Sequence, residues 1–237
     1  MNGKNSAIEV RDLTVRYDGS TALSDITLDL PQGKLIGILG PNGAGKSTFI
    51  KTLVGLIKPV SGTVLFFGKP FKASAGRIAY LPQRETIDWR FPITVKDLVL
   101  MGRYPRIGWF RWITKADVDA CRECLEMVGM LKYLDRQISE LSGGEQQRAF
   151  LARALLQDAD MYFLDESLSG VDHTSEEIII DILQKMVKKQ KTICMVYHDL
   201  NTAGRYFDWM VLLKGRLIAA GSKEDVFTPE NLAKAYY

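Results

Sequence analysis

A glycine-rich stretch, residues 40–48, contains the residues whose types and spacing point most directly to chemistry. Residues 40–47 fit the pattern G-x-x-x-x-G-K-[ST] at every position. Glycines let successive backbone N–H groups converge on phosphate oxygens, and a following helix adds the positive end of its dipole. The stretch predicts a loop that grips nucleotide phosphates. A ligand-free glycine turn is the alternative, and the complete match in a strand-to-helix context argues against it.

The polar residues of this loop have distinct expected roles. Lys46 should reach the β- and γ-phosphates, the Ser47 hydroxyl should ligate Mg²⁺, and Thr48 should contact the α-phosphate. We therefore expect the chain to bind ATP together with magnesium. The expected phosphate-binding residues are Gly40, Asn42, Gly43, Gly45, Lys46, Ser47 and Thr48.

Two adjacent acids, Asp165 and Glu166, supply the hydrolytic half of the predicted chemistry. They follow an apolar run at 161–164, so they stand at the carboxyl end of a predicted strand, where open parallel sheets bind ligands. Asp165 can hold Mg²⁺, and Glu166 can polarise the water that attacks the γ-phosphate. The alternative, two exposed acids in a turn, is disfavoured beside a phosphate loop.

Short buried strands joined to helices must position these residues. The continuous apolar runs at 35–39 and 161–164 are typical of strands buried on both faces. Residues 8–17 and 23–30 alternate apolar and polar side chains around a turn, which indicates an antiparallel start. Further strands are predicted at 63–67, 78–81, 192–197, 210–213 and 217–220.

The middle of the chain has helical rather than strand patterns, at 94–101, 116–128 and 145–156. Strand and helix alternate again afterwards, with helices at about 46–54, 175–189 and 200–207. These patterns predict one α/β domain over residues 1–237, with a mixed sheet and an N-terminal antiparallel β subdomain. Residues 1–86 and 159–237 should form the nucleotide-binding core, and residues 87–158 an inserted α-helical subdomain.

Composition and charge exclude several classes of protein. The chain has 237 residues, enough for one large domain, and a net charge of +3 without a polybasic run, which does not favour a nucleic-acid partner. No apolar stretch is long enough to cross a bilayer, and the polar residues 1–6 lack the apolar core of a signal peptide. We therefore expect the chain in the cytoplasm.

Cysteine and histidine give little support for a transition-metal site. Cys121 and Cys124 form a CxxC spacing, but with Leu125 and Val128 they also form an apolar stripe at helical spacing. We interpret both cysteines as core residues of a helix. The chain has only 2 His, at 173 and 198, which argues against an internal transition-metal site.

Residues 141–148, Leu-Ser-Gly-Gly-Glu-Gln-Gln-Arg, closely resemble the LSGGQ signature of ATP-binding cassette (ABC) ATPases. Glu145 stands where that family usually has Gln. Ser142 and Glu145 also match a capping box, and a capped helix start that bears two glycines is an anion site as well. The resemblance implies that the signature residues contact the nucleotide of a second cassette; they are Ser142, Gly143, Gly144 and Glu145. Because the backbone N–H groups and Ser142 would bind the phosphate, we expect Glu145 to leave that function intact.

The resemblance to ABC ATPases extends along essentially the whole chain, in family order. It implies that Tyr17 stacks on adenine, that Gln83 senses Mg²⁺ and the γ-phosphate, and that His198 is the switch histidine at the γ-phosphate. Residues 169–172, with Asp172, resemble the loop that passes to the partner subunit. Taken singly, Tyr17 could be a surface aromatic, Gln83 a loop amide and His198 a buried histidine. Their occurrence together in this order favours the family.

Two consequences follow from the family resemblance. ABC cassettes dimerise head to tail, so the signature of one copy completes the phosphate site of the other, and an isolated monomer should be poorly active. The family usually has Pro after the catalytic glutamate, whereas this chain has Ser167, which frees φ and adds an N–H. We expect a slightly more mobile loop there, with the chemistry retained.

A single cassette without membrane spans resembles the ATPase subunit of a bacterial-type importer. The stretch 84–92 and the Met-Gly-Arg-Tyr element at 101–104 resemble the manganese, zinc and iron uptake branch, as does the ending at 226–232. Arg84, Trp89 and Phe91 would then dock a membrane subunit, because exposed aromatics with arginine suit an interface. Alternatively, these aromatics fill the core of the helical subdomain.

The implied partners are a second copy of the chain, integral membrane permease subunits and an extracellular or periplasmic solute-binding protein, with no nucleic acid. The implied location is the cytoplasmic face of the membrane. Three alternatives stay open: an importer for iron-siderophore or haem, a soluble non-transport ABC factor, and a nucleotide-dependent binding module without turnover. Glu166 and His198 speak against the last of these.

Overall fold

The computed structural model describes residues 6–17, 19–107, 112–166, 168 and 172–237, and the statements below concern these residues. The strands are β1 Ser6–Tyr17, β2 Ser20–Pro31, β3 Leu35–Leu39, β4 Ser61–Phe66, β5 Lys69–Pro70, β6 Ile78–Leu81, β7 Met161–Leu164, β8 Thr192–Val196, β9 Trp209–Leu213 and β10 Leu217–Ser222. The helices are α1 Lys46–Leu53, α2 Phe71–Ser74, α3 Val95–Leu100, α4 Tyr104–Ile107, α5 Lys115–Met127, α6 Gly143–Leu156, α7 His173–Lys188, α8 Leu200–Tyr206, α9 Lys223–Val226 and α10 Pro229–Tyr236.

The strands form two sheets. The larger has the order β10-β9-β3-β8-β7-β6, with parallel pairs from β9 to β6 and an antiparallel β9–β10 hairpin. The smaller, β2-β1-β4-β5, is antiparallel throughout. The predicted α/β class, with a mixed sheet and an N-terminal antiparallel part, is confirmed.

The mixed sheet is buried on both faces, as its continuous apolar runs predict. Met161 and Phe163 of β7 join the apolar cluster that includes α1 and the antiparallel sheet. Tyr162 and Leu164 join the cluster on the other face, which includes α6 and α7. Because consecutive side chains of a strand point to opposite faces, each strand of the sheet contributes to both cores. The strand ends are held in place by this packing.

The middle of the chain packs as helices α3, α5 and α6 against one another, as predicted, with element ends shifted by one or two residues. Cys121 and Cys124 are buried in α5, so their interpretation as core residues is confirmed. Burial raises the pKa of their thiols to about 11 and about 12 respectively. A Cβ at Gly102 would lie 2.1 Å from the Arg153 carbonyl oxygen, so glycine is needed where this segment meets α6.

Candidate active site

The predicted phosphate loop connects β3 to α1 at the carboxyl edge of the mixed sheet. Gly43 and Gly45 have φ values of 78° and 89°, a conformation that favours glycine. A Cβ at Gly45 would also lie 2.9 Å from the Ala22 carbonyl oxygen. Helix α1 begins with no side-chain cap and no acid in its first turn. Its first N–H groups are therefore available to an anion.

Lys46 lies under this loop with only 4% of its surface exposed. Its ammonium group donates to the carbonyl oxygens of Gly40 and Pro41, each over 2.9 Å. Burial lowers the pKa of Lys46, and the charges of Glu166 and Asp165 oppose this effect. The lysine is thus held at the loop by neutral acceptors, with two acids close enough to favour its charged form.

Glu166 lies between two groups from neighbouring strands. Gln83, after β6, donates through Nε2 to Oε2 of Glu166 over 2.7 Å. His198, after β8, places Nε2 at 3.0 Å from Oε1 of the same carboxylate. The three residues meet because β6, β7 and β8 are adjacent parallel strands whose carboxyl ends share one edge. Glu166 itself has φ of 49°, an uncommon conformation for a residue with a Cβ.

Asp165 is fully buried beside Glu166. Its Oδ2 lies 3.4 Å from the Tyr80 hydroxyl and 3.9 Å from Nζ of Lys51, while Oδ1 is buried without a hydrogen-bond partner among the described residues. Burial raises the pKa of Asp165, and a hydrogen bond with Ser47 opposes this. A buried, unpaired carboxylate oxygen next to a serine hydroxyl suits Mg²⁺, which prefers oxygen ligands. The sequence patterns gave no signal for Tyr80 or Lys51.

A cavity of about 730 Å³ opens over the phosphate loop. This volume suits a nucleotide-sized ligand. The lining joins residues 42–48 to Glu166 and His198, and also includes Ala22, Leu168, Glu176, Val196, Tyr197 and Asp199. Tyr17 stands at the end of β1, 42% exposed and outside this lining. Its stacking on adenine stays a prediction.

The signature segment begins helix α6 and is not part of the cavity lining. Ser142 caps the helix, and its N–H and hydroxyl both donate to Oε2 of Glu145 over 2.8 Å. A hydrogen bond from Tyr133, with those from Ser142 and the charge of Arg148, lowers the pKa of Glu145. The capping box is confirmed, and the Ser142 hydroxyl already has an ionised partner within its own chain.

Asp172 caps helix α7, where its Oδ1 accepts a hydrogen bond from the Ser175 N–H over 2.9 Å. Helix α6 passes close to the start of α7 at Gly144, because a Cβ there would lie 2.7 Å from Ser175 Oγ and 2.9 Å from Asp172 Oδ2. The signature helix and the helix after residues 169–171 therefore start side by side. Ser167 and residues 169–171 lie outside the described residues.

The predicted docking stretch divides into inward and outward parts. Arg84 donates to Gln146 Oε1 over 3.1 Å, and the Trp89 indole donates to the Arg84 carbonyl oxygen over 3.0 Å. The Trp89 ring packs edge-on against Phe150, with centroids 5.1 Å apart. Trp89 is partly buried: its ring packs against the core of the helical part and also lines a cavity formed by residues 85–90, so its docking role stays a prediction. Phe91, by contrast, is 60% exposed.

A phosphate loop between a buried strand and a helix, with two acids ending another strand of the same sheet, defines a P-loop nucleoside-triphosphate hydrolase. The ABC transporter family model matches residues 23–169. The chain belongs to this family and is an ATP-binding cassette that hydrolyses ATP.

Relatives and solved structures agree with this membership. The manganese transport system ATP-binding protein MntB of Bacillus subtilis is 53% identical over 97% of this chain and 92% of its own length. The zinc transport system ATP-binding protein TroB of Treponema pallidum is 49% identical, over 97% and 86%. CbiO1 of Clostridium perfringens, part of the transporter complex cbiONQ, superposes with a TM-score of 0.80 at 26% identity, over 98% and 94%.

Proposed function

We propose that this cassette hydrolyses Mg²⁺-ATP through Glu166 and thereby powers import of a divalent transition metal. The observation that carries the hydrolytic part is the position of Glu166. Its two carboxylate oxygens contact Gln83 and His198 at the sheet edge above the phosphate loop. This geometry supports a base that is oriented by its two neighbours.

Each residue of the site has a specific role in the proposal. The N–H groups at the start of α1 and the ammonium of Lys46 bind the β- and γ-phosphates. Ser47, Asp165 and the oxygen of Gln83 would hold Mg²⁺, which, when bound, neutralises charge on the phosphate oxygens. Glu166 polarises the attacking water, and His198 orients Glu166 and contacts the γ-phosphate.

We propose that the working unit is a head-to-tail dimer. The cavity lining contains the phosphate loop but not Ser142 to Glu145, so the described chain leaves one side of its nucleotide site open. The signature of a second copy would close it, with the N–H groups of Gly143 and Gly144 and the hydroxyl of Ser142 directed at the γ-phosphate. Asp172, beside the signature helix, would lie at the same dimer interface.

The outward part of the docking stretch supports a permease partner. Phe91, Met101 and Tyr104 are 60%, 44% and 51% exposed, which is high for large apolar side chains. A second cavity, of about 520 Å³, is lined by residues 85–90. We propose that a membrane subunit inserts here, with Arg84 and Trp89 forming the floor that joins this surface to Gln83 and the signature helix.

The proposed location is the cytoplasmic face of the membrane. Among the described residues, no helix combines the length and the apolar character required to cross a bilayer. Contact with the membrane would therefore come through permease subunits, with an extracellular or periplasmic binding protein delivering the cargo. The proposal of a metal cargo rests on the manganese and zinc systems named for the relatives.

Reconstitution with the cognate permease and binding protein tests the proposal. ATP-driven uptake of Mn²⁺, Zn²⁺ and Fe²⁺ should exceed uptake of an iron-siderophore or haem, and Glu166→Gln should abolish uptake while trapping ATP in a stable dimer. Rapid hydrolysis by Glu166→Gln would remove Glu166 as the base. Preferred uptake of the siderophore or haem would replace the metal cargo. Association with ribosomes rather than membranes would favour a non-transport factor.

A further inference from the structure

Tyr197, the residue before the switch histidine, is fixed in both its backbone and its ring. It is 5% exposed, and its N–H donates to the Ile38 carbonyl oxygen over 3.1 Å, which extends the pairing of β8 with β3. Its ring makes edge-to-face contacts with Tyr206 and Phe207, at centroid distances of 6.0 and 5.3 Å. Because β3 leads into the phosphate loop, Tyr197 is anchored next to the nucleotide site.

The Tyr197 hydroxyl belongs to a chain of four side chains. It donates to Glu176 Oε1 over 2.6 Å and lies 2.5 Å from the Thr202 hydroxyl, which in turn donates to Asp199 Oδ2 over 2.9 Å. Asp199 caps α8 by accepting from the Asn201 N–H over 2.9 Å. These hydrogen bonds join the first turn of α7 to the first turn of α8 and enclose the segment that contains His198.

Consecutive side chains at a strand end point to opposite sides, so the placement of Tyr197 sets the direction of His198. His198 is only partly buried, and Nε2 has its one described contact, of 3.0 Å, with Glu166. We propose that Tyr197 is a positioning residue for His198, anchored by Glu176 and Thr202, and that its hydroxyl keeps the imidazole aligned with Glu166. The inference rests on the proposed role of His198 in hydrolysis.

The number of hydrogen atoms available to these hydrogen-bonded side chains suggests how the positioning role of Tyr197 can be tested. Two hydroxyl groups supply two hydrogens for three contacts, and burial raises the pKa of Tyr197, so its phenol stays protonated. In Glu176→Gln the amide would donate to the Tyr197 oxygen, after which Tyr197 could donate to Thr202 and Thr202 to Asp199. Glu176→Leu keeps a side chain of similar size that neither donates nor accepts. The two substitutions separate hydrogen bonding from packing.

The experiment measures Mg²⁺-ATP hydrolysis by the full-length chain across a range of protein concentrations, together with binding of a fluorescent ATP analogue. Tyr197→Phe should lower kcat about tenfold with KM and analogue affinity within about twofold, because only alignment is lost. Glu176→Leu should do the same, whereas Glu176→Gln should retain at least about half of the rate. Tyr206→Phe, which removes a hydroxyl from the adjacent ring, is the matched control and should leave kcat unchanged. Thermal unfolding should show that each variant is folded.

Several results would overturn the inference. Tyr197→Phe could hydrolyse as fast as Tyr206→Phe, or it could raise KM at constant kcat. Glu176→Gln could fall as far as Glu176→Leu, which would indicate packing instead of hydrogen bonding. His198→Ala distinguishes this failure from failure of the proposed function. If His198→Ala hydrolyses normally, the role of His198 itself is wrong. If His198→Ala is inactive and Tyr197→Phe is normal, only the positioning role is wrong.

Discussion

The helices α1 and α6 both begin at glycine-containing segments that are predicted to bind phosphate, but only the first turn of α6 is capped by side chains. Helix α1 starts after Gly45 with no side-chain cap and no acid. Helix α6 starts with a complete capping box, in which the Ser142 hydroxyl donates to Glu145 over 2.8 Å. The first N–H groups of α1 are therefore available to the nucleotide of the same chain. The first turn of α6, by contrast, is already capped by its own side chains.

A third helix start shows what a capping box does without a ligand. Thr114 and Asp117 cap α5 with the same pattern, including a hydroxyl-to-carboxylate hydrogen bond of 2.7 Å. Asp117 is also bonded by Arg103 over 2.7 Å, so this cap belongs to the interior of the helical part. Helix α5 has no proposed ligand and serves as an internal reference for α6. We therefore expect the uncapped start of α1 to bind the nucleotide of its own chain and the capped start of α6 to bind that of a partner.

A substitution at the uncapped start of α1 should have the largest effect on the rate of hydrolysis. Lys46→Ala removes the charge held at the loop and should lower hydrolysis by at least about a hundredfold, because stabilisation of phosphate charge dominates this chemistry. The rate of phosphate release measures it, with Lys58→Ala, after α1 in the same part of the chain, as the control. A Lys46→Ala enzyme with normal turnover would remove the phosphate loop from the mechanism.

The start of α6 should contribute to hydrolysis at the nucleotide site of the partner subunit. Ser142→Ala should lower hydrolysis about tenfold by removing a donor to the γ-phosphate. Mixing Ser142→Ala with Lys46→Ala should restore up to roughly a quarter of the normal rate, because random pairing makes half of the dimers mixed and each mixed dimer has one intact site. No recovery on mixing, or wild-type activity that does not depend on protein concentration, would contradict the composite site.

Removal of the Glu145 carboxylate should have a smaller effect than Ser142→Ala, and it should strengthen dimerisation instead of lowering hydrolysis. Glu145→Gln removes a negative charge that holds the Ser142 hydroxyl and would lie close to the γ-phosphate of the partner's nucleotide. ATP-dependent dimerisation, measured by analytical ultracentrifugation with Glu166→Gln as background, should strengthen about two- to threefold. Weaker dimerisation would mean that the capping role of Glu145 outweighs its repulsion of phosphate.

The α5 cap should affect stability alone. Thr114→Ala should cost about 1 kcal/mol of unfolding free energy, with hydrolysis per folded molecule unchanged. Chemical denaturation measures the loss, and Ser142→Ala should show a similar loss in addition to its activity defect. Reduced hydrolysis by folded Thr114→Ala would show that caps act on activity through the fold, which would weaken the interpretation of Ser142.

The pH dependence of stability should reveal the same cap. Hydrogen bonds from Thr114 and Arg103 lower the pKa of Asp117 to about 2, from an ordinary value of about 3.9. A lowered folded-state pKa stabilises the protein above the unfolded value, and this contribution is lost as the pH falls from about 4 towards 2. Asp117→Asn should reduce the steepness of that decline in a denaturation series at decreasing pH. An unchanged slope would contradict the assigned ion pair.

Local patterns in the sequence were enough to predict most of the longer elements and the phosphate loop, but not short elements such as β5 and α2. The bounds of β3, Leu35–Leu39, and β7, Met161–Leu164, follow from apolar runs flanked by turn residues. The cap at Ser142 follows from Glu145 three residues later. These features depend on spacing within one or two turns of chain, which a sequence displays directly. The roles assigned to individual site residues rested on the phosphate-loop pattern, the strand-end acids or family order, and they stay predictions.

The order of the strands decided what the local patterns could not. Gln83 and Glu166 lie 83 residues apart in the chain and 2.7 Å apart in space, because β6 and β7 pair in parallel. The inward turn of Trp89 depends on Phe150, and the chain through Tyr197 on contacts with α7 and α8. Residue types and their local spacing are enough to predict which side chains can do chemistry and which of the longer elements carry them. Which of these side chains meet depends on the folded chain, since parallel pairing and packing between distant segments have no local signal.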